Sequence, residues 1–168
     1  MKKNDQAVAL VTGASSGIGE ATALRLAKAG YKVFGTSRRG ASASLGSFEM
    51  LPLDVTSDAS VNAVVAEVIR REGRLDLLVN NAGFNISVGG AEESSIHQAQ
   101  EIFDTNFFGI VRMTLAVVPA IMMSQSLSTN TIVLSQVGDY DLHWYIFTPW
   151  GIVGFIVFFL CATAECNR

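Results

Sequence analysis

Short, unbroken apolar runs alternate along the first two-thirds of the chain with longer stretches in which apolar residues return every three or four positions. The first run, Ala7 to Val11, has the length and content of a parallel strand buried on both faces. A helical pattern follows over Glu20 to Ala29, with Ala21, Leu24, Ala27 and Ala29 set among polar residues, and Gly30 stands where a glycine ends a helix. Lys32 to Ser37 predicts strand two, and Phe48 to Leu53 predicts strand three. Val61, Val64, Val65, Val68 and Ile69 share one helical face, in a helix that Thr56 or Ser57 caps and Gly73 closes. Leu75 to Val79 predicts strand four. Glu92 to Met123 predicts helix in two pieces meeting near Thr105-Asn106, with Ile102, Phe103, Phe107, Ile110 and Val111 on the core face and a kink or end at Pro119. Thr131 to Leu134 predicts strand five. Strands alternating with helices imply an α/β fold with a right-handed, doubly wound parallel sheet.

Between the first strand and the first helix stands Thr12-Gly13-Ala14-Ser15-Ser16-Gly17-Ile18-Gly19, a G-x-x-x-G-x-G spacing. A strand that ends in glycines and turns straight into a helix brings backbone close to a pyrophosphate and points the first-turn N–H groups at it. In such Rossmann-like folds an acidic residue about 20 positions past the glycines accepts hydrogen bonds from the ribose of NAD. Here Arg38 stands 19 residues after Gly19, with Arg39 behind it and Ser37 before it. A guanidinium there matches a 2′-phosphate bidentately, which favours NADP(H) over NAD(H), with Ser37 as a second donor. The plainer alternative is a pair of solvated loop arginines. Asn80-Asn81-Ala82-Gly83 follows strand four, at the sheet edge where open α/β folds bind ligands.

Composition changes this picture in two places. The chain has 168 residues and a net charge of −3, which leaves no basic footprint for nucleic acid. Charged residues make up 16%, below the usual quarter, and the shortfall is local: from Met113 to Ala164 the only charges are Asp139 and Asp141. Cys161 and Cys166 fit neither a CxxC pair nor a zinc set, so no metal is expected. The N-terminus lacks the apolar core of a signal peptide, and a cytoplasmic location is expected.

The glycine loop, Asp54-Val55, the Asn80–Gly83 tetrapeptide and Asn106 together resemble the short-chain dehydrogenase/reductase family over about residues 6 to 137. The resemblance implies a sheet of about five strands in the order 3-2-1-4-5. It also implies hydride transfer between a nicotinamide cofactor and a small alcohol or carbonyl substrate. Thr12, Gly13, Ser15, Ser16, Gly17, Ile18 and Gly19 would hold the pyrophosphate. Asp54 and Val55 would meet adenine, and Asn81, Ala82 and Gly83 would support the sheet and line the cofactor. The family's catalytic Asn, Ser, Tyr and Lys are matched by Asn106 and by Ser135, with Gln136 as the alternative to the serine. Tyr145 is the nearest tyrosine, but its +4 position is Pro149, and the only lysines are Lys2, Lys3, Lys28 and Lys32. The catalytic tyrosine–lysine pair is therefore not intact, and the sequence reads as truncated before the family's last strands. This leaves an impaired oxidoreductase, a non-catalytic nucleotide-binding or interaction protein, or an inactive fragment.

The stretch Trp144 to Ala164 carries no charge over 21 residues. It can be read as a buried or interface helix in place of the family's tyrosine helix, which packs against a partner subunit in a homo-oligomer. It can also be read as a membrane segment with interfacial Trp144, Tyr145 and Trp150, or as an aberrant tail. The expected division is a dinucleotide-binding domain over 1–137 and a divergent apolar segment over 138–168.

Overall fold

The structure, a computed structural model, describes residues 6–39, 46–85, 94–124, 131–136 and 142–147, with side chains as far as Pro119. Strand β1 (Val8–Val11) lies at the centre, paired in parallel with β2 (Lys32–Ser37) on one side and β4 (Leu77–Asn80) on the other. β3 (Glu49–Pro52) extends the sheet beyond β2, and β5 (Thr131–Gln136) extends it beyond β4. The parallel strands thus run 3-2-1-4-5, as expected. β6 (Leu142–Phe147) closes the edge antiparallel to β5.

The continuous apolar character of β1 follows from its two buried faces. Val8 and Leu10 point to one side, where they meet Phe34, Leu78 and the helix α2 (Asp58–Glu72) through Val61, Val64, Val65 and Val68. Ala9 and Val11 point to the other, where α1 (Gly17–Lys28) packs through Ala23, with Leu24 and Ala27 alongside. Small residues on that face let α1 come close to the sheet. α2 starts where Ser57, rather than Thr56, accepts a hydrogen bond from Ser60 N, and it ends at Gly73 in the left-handed conformation.

The third helical region is α3 (Ile96–Phe103), a π-turn over Asp104–Phe108, and α4 (Gly109–Ser124). The expected break near Thr105-Asn106 is therefore a widened turn and not an interruption. α3 opens with a capping box between Ser95 and Gln98. The expected core face is corrected. Met113 and Val117 are fully buried, while Phe103, Phe107 and Val111 lie on the exposed side. Two causes combine: the helix is apolar nearly all round, so periodicity selects no single face, and the extra residue of the π-turn shifts the phase. Ile96 to Pro119 is long and apolar enough to cross a membrane by length and composition alone, yet its Met113–Val117 side packs on the sheet.

The helix considered for 144–164 is also corrected at its start, because Trp144–Phe147 belong to β6. Aromatic and β-branched residues there suit a pleated strand. The remainder of that stretch, and the boundary expected near residue 137, lie outside the described residues.

Candidate functional site

The carboxyl ends of β1, β2, β3 and β4 open onto a groove of about 810 Å³. Its floor is fixed by Thr12, a 1% exposed residue just past β1. The Thr12 hydroxyl accepts hydrogen bonds from the backbone N–H groups of Asn81 and Ala82, each at 2.9 Å. In return, the Asn81 side-chain Nδ2 donates to the carbonyls of Thr12 and Gly13 at 3.0 and 3.1 Å. Ala14 N donates to Thr36 O at 2.9 Å, which ties the loop to β2 as well. The glycine loop is thus held between the two strands that flank β1.

The loop delivers the N-terminus of α1 to the groove. Its N-cap, Ser16, makes no side-chain capping bond, so the first-turn amides of Gly17, Ile18 and Gly19 keep their donors for something else. Gly17 has φ +60°, a conformation that suits glycine. Gly19 is constrained by space instead. A Cβ there would sit 2.3 Å from both Asn81 Nδ2 and Gly13 O.

Across the groove, Asp54 follows β3. Its Oδ1 accepts from Thr56 N at 3.0 Å and from the Thr56 hydroxyl at 2.8 Å. These bonds hold its carboxyl below the usual carboxylate range, the backbone bond counting most; desolvation opposes them, and Arg38 and Arg112 add lesser attraction. At the far end, the Asn106 side chain clasps the backbone of Phe84. Oδ1 accepts from Phe84 N at 3.0 Å and Nδ2 donates to Phe84 O at 2.9 Å. The π-turn presents Asn106 to this segment.

Most residues singled out in the sequence meet at this groove. Gly13, Ser15, Ser16, Gly17, Ile18 and Gly19 form one wall, Ser37 and Arg38 the next. Asp54 and Val55 form a third, and Asn81, Ala82, Gly83 and Asn106 line the groove as well. Two residues depart from expectation. Thr12 lies beneath the groove, because backbone groups use its hydroxyl. Arg39 is exposed and does not line the groove, since it stands one residue farther from β2. Ser135 lies in β5 in register with Asn80, at the same sheet edge. Tyr145 lies in β6 opposite Val133, and His143, not Tyr145, stands opposite Ser135. Thr36, Leu53, Thr56, Phe84, Asn85 and Thr105 also line the groove and carry no motif of their own. Thr56 could have been found, because a Thr two residues after an Asp is a common local hydrogen-bond partner.

The residues present fit a dinucleotide. The glycine loop, the first turn of α1 and the Arg38 cation line one cavity, and a Cβ on Gly17 would meet no atom within 4 Å, so that wall stays open for a phosphate group.

Residues 7–146 match the family described as short chain dehydrogenase. The chain is 42% identical over 132 residues to a 3-ketodihydrosphingosine reductase of Bacteroides thetaiotaomicron, covering 78% of this chain and 47% of that protein. It is 35% identical over 121 residues to an NADP-dependent 3-hydroxy acid dehydrogenase of Escherichia coli, covering 68% and 49%. Among solved structures, the 3-ketoacyl-(acyl-carrier-protein) reductase of Brucella melitensis complexed with NADH superposes with a TM-score of 0.70 at 31% identity, covering 76% and 55%. The chain spans about half the length of the curated relatives it matches. On the matched motifs, the strand order and these likenesses, the chain belongs to the short chain dehydrogenase family of oxidoreductases.

Proposed function

We propose that the groove binds NADP(H) and serves hydride transfer to or from the hydroxyl or carbonyl group of a small molecule. The observation that carries this reading is the convergence on one cavity of Arg38 with the first turn of α1, whose amides take no side-chain cap among the described residues. Gly17, Ile18 and Gly19 would hold the pyrophosphate, Ser37 and Arg38 the 2′-phosphate, and Asp54 and Val55 the adenine end. Ala82 and Gly83 leave room for a ring. The bound cofactor would supply or accept the hydride. Asn106, fixed at both ends of its amide by Phe84, cannot rotate freely, and this suits it to hold a water or a backbone segment in one orientation.

Ser135 is the residue proposed to orient the substrate oxygen, supported by its register with Asn80 at the groove edge. Tyr145 has weaker support as the proton donor. Its partner Val133 lies two residues before Ser135, about 6.6 Å lower along the strand. Titrations with NADPH and NADH, repeated on Arg38→Asp, test the cofactor assignment. An unchanged NADPH-to-NADH preference in the variant would sink it.

A second reading, binding without turnover, is favoured by the lack of any lysine after Lys32 in the 168 residues. A phenol with a pKa near 10 is a poor acid–base group at neutral pH without a neighbouring cation. NADPH oxidation with assorted ketones and aldehydes that does not exceed a Tyr145→Phe control selects this second reading.

A further inference from the structure

Arg112 sits on α4, outside the groove, at the centre of a polar cluster that no step of the proposed function uses. Its Nη2 donates to Asp104 Oδ1 at 2.7 Å and its Nη1 to the Asp104 carbonyl at 3.2 Å. Nη1 also reaches the Val55 carbonyl at 3.5 Å, and Nε pairs with Asp58 at 3.1 Å. One guanidinium therefore addresses the first residue of the π-turn, the loop at the adenine end of the groove and the first residue of α2.

The Asp104 carbonyl is the acceptor that defines the π-turn, since it takes the Gly109 N–H five residues on. Arg112 supplies a second donor to that same oxygen. Helix geometry makes this pairing specific to the widened turn. At about 100° per residue, positions eight apart on an unbroken α-helix are about 80° out of line. One extra residue makes eight count as seven, which leaves about 20°. The Asp104–Arg112 pair is thus aligned by the π-turn and stabilises it. Packing agrees: a Cβ on Gly109 would lie 2.8 Å from Val55 Cγ2, so the start of α4 rests directly on the adenine-end loop.

We infer that Arg112 is a positioning residue: by clamping both oxygens of Asp104 that face it, it holds the π-turn that aims Asn106 at Phe84. The inference rests on the proposed cofactor site for its purpose, because Asn106 serves the reaction only if the groove holds a nucleotide. Its geometry can be tested without one.

The test is amide hydrogen exchange by NMR on the full chain without nucleotide, in Arg112→Met, Arg112→Lys and Asn106→Ala. The Phe84 N–H reports the Asn106 clasp, and the Thr12 N–H, bonded to Val79 O, reports the core sheet. Asn106→Ala is expected to strip protection from Phe84. Arg112→Met is expected to speed Phe84 exchange by about tenfold, the scale of one lost charge-assisted bond, while Thr12 stays unchanged. Arg112→Lys is expected to recover only part, because an ammonium cannot fork to two oxygens. Phe84 exchange within about twofold of the parent in Arg112→Met, on the same scale, overturns the inference. So does an equal acceleration at Thr12, which would mark general loosening, or a Phe84 amide indifferent to Asn106→Ala. Absence of NADPH binding would instead count against the proposed function and leaves the exchange result to decide this point.

Discussion

Gly19→Ala is the substitution whose cost the structure specifies most fully. The added methyl would stand 2.3 Å from Asn81 Nδ2 and from Gly13 O, roughly 1 Å inside ordinary van der Waals contact. Gly13 O belongs to backbone tied to Asn81, and Asn81 is tied to Thr12, so neither atom can yield alone. Overpacking of this kind costs about 1–3 kcal/mol. Displacing the Asn81 amide also breaks its two bonds to the loop, at about 1 kcal/mol each. The expected loss is about 3–5 kcal/mol, a shift of roughly 1–5 M in the urea midpoint. Gly17→Ala is the internal control. It meets nothing within 4 Å and bears only the strain of φ +60°, about 1–2 kcal/mol. Urea unfolding followed by circular dichroism gives both values. A Gly19→Ala chain as stable as Gly17→Ala, or one that binds NADPH as the parent does, would refute the wedge between loop and strand.

Thr12→Val keeps the shape but leaves the Asn81 and Ala82 amides without their acceptor, and a loss of about 2 kcal/mol or more is expected in the same unfolding assay. Arg38→Asp should lower the NADPH-to-NADH affinity ratio by about 10- to 100-fold, the value of a charge-assisted phosphate contact, as read by calorimetry. Asp54 has a folded pKa below its unfolded value, so its contribution is full above about pH 4 and is lost as pH falls through the folded value. Acid unfolding of Asp54→Asn should therefore lack that component, and a profile identical to the parent's would contradict the assigned hydrogen bonds.

β1 and β4 were legible because they are buried on both faces, so Ala7–Val11 and Leu77–Val79 read as unbroken apolar runs. The glycine loop was legible for a different reason: its residues serve sterics and backbone geometry, which leave a mark in residue type. Arg112 left no such mark. Its partner Asp104 is eight positions away, a spacing that becomes a neighbour relation only through the π-turn. The same turn hid the true buried side of α4, where Met113 and Val117 replace the expected Phe103, Phe107 and Val111. Thr12 looked like a cofactor contact because it heads the motif, yet its hydroxyl is taken up by the backbone amides of Asn81 and Ala82, just past β4. Leu53 and Phe84 line the groove through chain position alone, which no local pattern encodes.

The central claim is that the groove at the end of β1 holds a nicotinamide dinucleotide, with the 2′-phosphate as its preferred mark. Calorimetric titration of the purified, monodisperse chain with NADPH and then with NADH tests it most directly. Saturable binding of NADPH, tighter than that of NADH and lost in Gly19→Ala, is the predicted result. A folded chain that binds neither nucleotide would contradict the claim.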